Sequence, residues 1–154
     1  MSKRDYPERP IVGVGAVIVR DARAVLVRRG GEPLAGEWSV PGGALELGET
    51  LRAGAEREAL EETGLVVEAG EVLEVFDSIT RDAAGREQYH FVLIDFLCRV
   101  RGGELQAGGD ALEARWVTAE EMDALGVRAT IRDVVTKGLS AFQETSYEKN
   151  PRGP

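Results

Sequence analysis

Between Gly43 and Leu65 the chain reads GALELGETLRAGAEREALEETGL, and three of its glutamates, Glu58, Glu61 and Glu62, fall on one stripe of the helix this run predicts. At about 100° per residue, Glu58 and Glu62 stand one turn apart with Glu61 beside them. Like charges at that spacing repel one another. Leu51 and Ala55 share the same side of the helix, so the carboxylates border its apolar face and line a groove. A solvated, glutamate-rich face would not place them there. A cation among the three removes the conflict, and an all-oxygen donor set selects a hard ion, Mg2+ or Mn2+.

The surrounding pattern supplies the scaffold. Ile11 to Val19 reads as a buried, β-branched strand, Asp21 and Ala22 turn the chain, and Ala24 to Arg28 forms a second strand that pairs with the first as a hairpin. The helix is expected from Thr50 to Thr63, with Gly64 as its left-handed C-terminal residue. Leu65–Val67 and Val72–Ser78 look extended, and Gln88–Val100 gives the longest continuous strand signal. A glycine-rich loop over Arg101–Gly109 then leads to a short strand at Ala114–Val117. Thr118 with Glu121 makes a capping-box pattern, and a last helix is expected from Ala129 to about Phe142. Strands interleaved with helices in this order predict an α/β fold whose mixed sheet lies between helices.

At 154 residues, 43% of them hydrophobic, the chain suits one globular domain. Its formal charge of −8 argues against binding of DNA or RNA, which needs clustered Lys and Arg. Cys98 is the only cysteine and sits in the apolar run FVLIDFLCRV, so it reads as a buried strand residue, no intrachain disulfide can form, and a reducing cytoplasm is expected. No apolar run reaches the length of a membrane span, and MSKRDYPERP lacks the core of a signal peptide.

The run from Gly43 to Leu65 resembles the Nudix box, G-x5-E-x7-R-E-U-x-E-E-x-G-U with U aliphatic. Gly43, Glu49, Arg57, Glu58, Glu61, Glu62, Gly64 and Leu65 fill its positions, and Ala59 stands where a larger aliphatic residue is usual. The resemblance implies a Nudix α/β/α sandwich over residues 9–142, with a flexible N-terminus at 1–8 and a flexible tail at 143–154. It also implies a homodimer. Glu58 and Glu62 become the principal metal ligands and Glu61 a further one. Glu58 or Glu61 is a candidate to accept a proton from water, Arg57 supports the catalytic centre, and the Gly43 carbonyl is a backbone ligand. Glu49 and Gly42 hold the loop, and Gly64 closes the helix.

The implied reaction is hydrolysis of a phosphoanhydride in a nucleoside diphosphate linked to another group. GEWSVPGGALELGET followed by YHFVLIDFLC is similar to bacterial ADP-ribose pyrophosphatase-like members, which makes ADP-ribose or a related nucleotide sugar the favoured substrate. Thr80 and Arg81 stand where many such enzymes carry a proline. An ordinary or oxidised nucleoside triphosphate is the alternative, and a non-catalytic nucleotide-sensing module is the alternative of another class. Asp110 or Glu113 is a candidate extra acid, with Asp77 and Glu87 behind them. Arg28, Arg29 and Arg81 are candidates for substrate phosphate and Trp38 for stacking on a base, whereas Phe76 is expected in the core and His90 in a structural hydrogen bond.

Overall fold

The computed structural model describes residues 4–148, with side chains as far as Phe142. Its strands are β1 (Ile11–Arg20), β2 (Arg23–Arg29), β3 (Trp38–Ser39), β4 (Gly42–Ala44), β5 (Leu65–Arg81), β6 (Glu87–Gly103) and β7 (Ala111–Val117); its helices are α1 (Leu51–Thr63), α2 (Ala119–Ala124) and α3 (Ala129–Glu148). β1 is the pivot of the sheet. One edge runs parallel to β6 from Ile11 to Ile18, and β6 pairs antiparallel with β5. The other edge takes β4 at Gly13–Gly15 and β2 at Val19–Arg20, both antiparallel. The mixed sheet matches the expectation from sequence.

The hairpin of β1 and β2 is shorter than the sequence suggests. Asp21 and Ala22 both adopt positive φ, 52° and 60°, in the manner of a two-residue primed turn. Only two residue pairs follow, because β4 occupies the rest of that edge of β1. β2 turns instead to β7 and β3. The two extended stretches after the helix are one strand, β5, whose register shifts between Ala69 and Val72 absorb the intervening residues. β6 continues through Arg101–Gly103, which the sequence assigns to a loop.

Side chains of β1 alternate between two apolar layers, as the period of a strand requires. Val14, Ala16 and Ile18 pack with Ala55 and Ala59 of α1, while Val17 and Val19 pack with Val134 and Val135 of α3. Thr50 caps α1 by accepting from the Ala53 amide at 3.1 Å, and Gly64 ends it at φ 73°. Thr118 and Glu121 form the full capping box of α2. Cys98 is buried, its thiol pushed up to about 12 by that burial, as suits a strand residue that packs.

Two boundaries differ from expectation. The N-terminal segment is tied to the β5–β6 hairpin at Tyr6, whose hydroxyl donates to Asp82 at 2.8 Å and whose amide donates to the Gln88 carbonyl at 2.7 Å. α3 runs past Phe142 to Glu148, because polar residues with ordinary helix propensity extend a helix that packing has already nucleated. Residues 1–3 and 149–154, the remainder of the two expected flexible ends, lie outside the described residues. None of the described helices is long and apolar enough to cross a membrane.

Candidate active site

β4 delivers the chain into the loop that precedes α1, and Arg57 locks the two together. Its Nε and Nη2 donate to both oxygens of Glu49 at 2.7 and 3.0 Å, and Nη2 also donates to the Ala44 carbonyl at 3.2 Å. Nη1 donates to Glu58 at 2.8 Å and lies 3.4 Å from Glu61. Only a planar fork can hold loop and helix in this way. The hydrogen bond from Arg57 keeps the Glu49 carboxyl below the usual range, so the brace stays charged on both sides.

Glu58 is buried and points toward β4, where a Cβ at Gly43 would stand 2.5 Å from its Oε1. Glycine at position 43 is therefore the residue that lets the carboxyl meet the strand. Burial raises the pKa of Glu58, against the pull of Arg57. Glu62 is partly buried beside it, and burial first, then the charge of Glu58, pushes its carboxyl up to about 8 although the Gly42 amide opposes the shift. Two such neighbours cannot both ionise comfortably without a positive charge between them.

Among the described residues no three His, Cys, Asp or Glu side chains already converge on one point. The donor chemistry nevertheless fits a divalent cation, since Glu58, Glu62 and Glu61 offer hard oxygens and the strain of the buried pair is of the kind a cation relieves. Glu58, Glu61 and Glu62 line a cleft of about 630 Å³ with Arg29, Gly43 and Asp110. A second cleft of about 200 Å³ opens on the α3 side of the sheet, walled by Trp38, Phe76, Phe91 and Asp95. Arg4, Arg29 and the strand Gly42–Ala44 border both.

The sequence-predicted residues divide accordingly. Glu58, Glu61, Glu62, Gly42, Gly43, Arg57, Arg29 and Asp110 come together, and Trp38 joins them from the second cleft. Arg28 and Glu113 do not: they face each other across β2 and β7 and pair at 3.0 Å, outside both clefts. Arg81 pairs with Glu87 at 3.6 Å on the β5–β6 hairpin, and Asp77 and His90 also lie outside. Phe76 walls the second cleft, where the sequence suggests core packing. Asp95, Phe91 and Arg128 are missed altogether, although a single acid inside the apolar run VLIDFLC is a signal in its own right.

A model of the NUDIX domain matches residues 9–137. The chain belongs to the Nudix family. A protein of Methanocaldococcus jannaschii named ADP-ribose pyrophosphatase is 38% identical over 130 residues, 81% of this chain and 75% of the relative. A Mycobacterium tuberculosis protein carrying the provisional name 8-oxo-dGTP diphosphatase 2 is 37% identical over 110 residues, 71% and 74% of the two chains. The crystal structure of a MutT NUDIX hydrolase from Burkholderia pseudomallei superposes with a TM-score of 0.69 at 30% identity, covering 84% of this chain and 98% of that one. The fold is that of Nudix hydrolases, and the chain is a Nudix pyrophosphohydrolase, as its box implied. Nudix hydrolases work with divalent metal ions, in keeping with the carboxylates of α1.

Proposed function

We propose that this Nudix hydrolase cleaves ADP-ribose, or a closely related nucleotide sugar, with Mg2+ or Mn2+, yielding a nucleoside monophosphate and a sugar phosphate. The observation that carries the reading is the pair of clefts on either side of β4, one acidic and one aromatic, with Arg29 bordering both. Such a site suits a molecule with a planar head and a polyphosphate body. The relative named ADP-ribose pyrophosphatase supports the choice of substrate.

Glu58 and Glu62, with Glu61 and the Gly43 carbonyl, would hold the metal. When bound, such an ion neutralises phosphate oxygens and acidifies water. The residues of the chain do the rest. Arg29 steers the phosphates into the acidic cleft, Arg57 keeps the α1 carboxylates in place, and Glu58 or Glu61 takes a proton as water adds to one phosphorus. The bond from that phosphorus to the bridging oxygen breaks, and the departing phosphate keeps the electron pair. Trp38 and Phe76 shelter the base. Asp110, on the rim of the acidic cleft, is kept as a further metal-binding acid.

A second reading, pyrophosphate release from an ordinary or oxidised nucleoside triphosphate, is favoured by the relative named for 8-oxo-dGTP. The proposal also keeps the cytoplasmic setting and the homodimer of the sequence reading. The dimer is supported by the edge strand β5, which exposes Val72, Val75 and Ile79. Turnover of ADP-ribose, other nucleotide sugars and nucleoside triphosphates is measured with each metal and without. Metal-dependent AMP from ADP-ribose is the expected result. Pyrophosphate from a triphosphate instead would establish the second reading, and binding without turnover would establish a nucleotide-sensing module.

A further inference from the structure

Asp95 is a buried acid that the reaction does not use. It lies on β6 opposite Gly15 of β1, is 4% exposed, and its Oδ2 has no hydrogen-bond partner among the described residues. Buried polar atoms are normally satisfied, so an orphaned carboxylate oxygen asks for a donor from outside the chain. Asp95 belongs to the wall of the aromatic cleft. Gly15 is what admits it there, since any Cβ at that position would collide with Oδ1.

Two of the three arginines that border the cleft are engaged elsewhere. Arg128 is tied to Glu37 at 2.7 Å, and Arg29 donates to the Pro33 carbonyl at 2.8 Å. Arg4 also borders the cleft but forms no ion pair with Asp95 among the described residues. Glu74, the strand neighbour of Asp95 on β5, is itself acidic and lies 3.6 Å from Lys137. A ligand that reaches Asp95 through the cleft enters among Trp38, Phe76 and Phe91. Those rings favour a flat, polarisable head group. A planar ring that also offers an N–H to a carboxylate is an amino-bearing nucleobase.

We propose that Asp95 determines base specificity: its carboxylate accepts a hydrogen bond from the exocyclic amino group of an adenine-type base and rejects a base with an oxo group at the same position. This deepens the proposed reading, on which it rests. An oxo group would set one acceptor against another in a buried place, so the penalty falls on the wrong base.

The test compares ADP-ribose with its deaminated analogue, inosine diphosphate ribose, on the wild-type protein and the Asp95→Asn variant. An asparagine amide both accepts and donates, so it tolerates either base. The wild type should prefer the amino base by about tenfold to a hundredfold in kcat/KM, the range expected for one hydrogen bond to a charged group. The variant should narrow that ratio to about threefold. An unchanged ratio in a folded variant, or no preference in the wild type, would overturn the inference. If neither compound is turned over, the dissociation constants of AMP and IMP for the wild-type protein and the variant give the same ratio by calorimetry. A preference for AMP that the Asp95→Asn variant loses would then keep the role of Asp95 while the substrate proposal falls, and equal binding to the wild type, or a preference the variant retains, would end both.

Discussion

The two clefts on either side of β4 are built in opposite ways. The acidic one draws most of its charged residues from a single stretch, the loop and helix between Gly43 and Glu62, braced by one arginine. The aromatic one is assembled from β1, β3, β5, β6 and the start of α3. On the proposed reading, chemistry rests on a local, rigid motif, and selection of substrate rests on side chains that only the whole sheet brings together. A change in the first should therefore strike rate, and a change in the second should strike affinity or preference.

The sharpest break comes from Glu62→Gln. Turnover should fall by roughly 10²–10³-fold or more, while circular dichroism stays native and the melting temperature does not drop, because a carboxyl already pushed up to about 8 by burial and by Glu58 is replaced by a neutral group. A variant that keeps its activity would remove α1 from the chemistry. Next is Arg57→Lys, which loses the two-pronged grip on Glu49; kcat should fall about 10- to 100-fold, with a lower melting temperature. Across the sheet, Trp38→Ala should raise KM by about tenfold and leave kcat within a few-fold, as expected when a stacking face is lost. A fall in kcat alone would place the tryptophan with the chemistry and dissolve the contrast.

Asp95→Asn sharpens the contrast through stability. Burial raises the folded-state pKa of Asp95 from 3.8 to about 6. A raised acid costs nothing below its unfolded value and becomes a liability as pH climbs through the folded one. The variant should thus match the wild type below about pH 4 and gain stability between about pH 4 and 6. Above that it should keep an advantage on the order of 2–3 kcal/mol, read from denaturant unfolding at several pH values. The smallest effect belongs to Arg81→Ala and Arg28→Ala. Both arginines pair with a glutamate away from the clefts, so kinetic constants should stay within about twofold.

The same division explains what could be read in advance. Glu58, Glu61 and Glu62 are legible because helical periodicity puts them on one stripe, and the brace of Arg57 and Glu49 is implied by the resemblance to the Nudix box, whose spacing is local. The start of α1 near Thr50, the left-handed Gly64 and the Thr118 capping box are local for the same reason. Arg28 and Arg81 mislead, since a cation in a sequence shows its charge but not the carboxylate across the strand that neutralises it. Phe76 and Asp95 are illegible in a different sense. Period-2 patterning assigns each to a face of the sheet, and only the sheet order reveals that this face is left open beside Gly13 and Gly15. Gly54 looks like a weak point in α1, yet a Cβ there would come within 2.9 Å of the Glu49 carboxylate, so the glycine is what lets loop and helix close.

β4 is three residues long, and each of them is paired to β1. On the proposed reading, a partition so short and so firmly anchored would serve as a measuring rule. A base on one side would leave the bond laid across the carboxylates on the other to be chosen by its distance from that base. A nucleotide sugar and a nucleoside triphosphate carry the same anhydride at the same distance from the base and differ only beyond it. A lineage built on this partition can exchange one leaving group for another by altering the outer rim of the acidic cleft, without disturbing the bond it cuts.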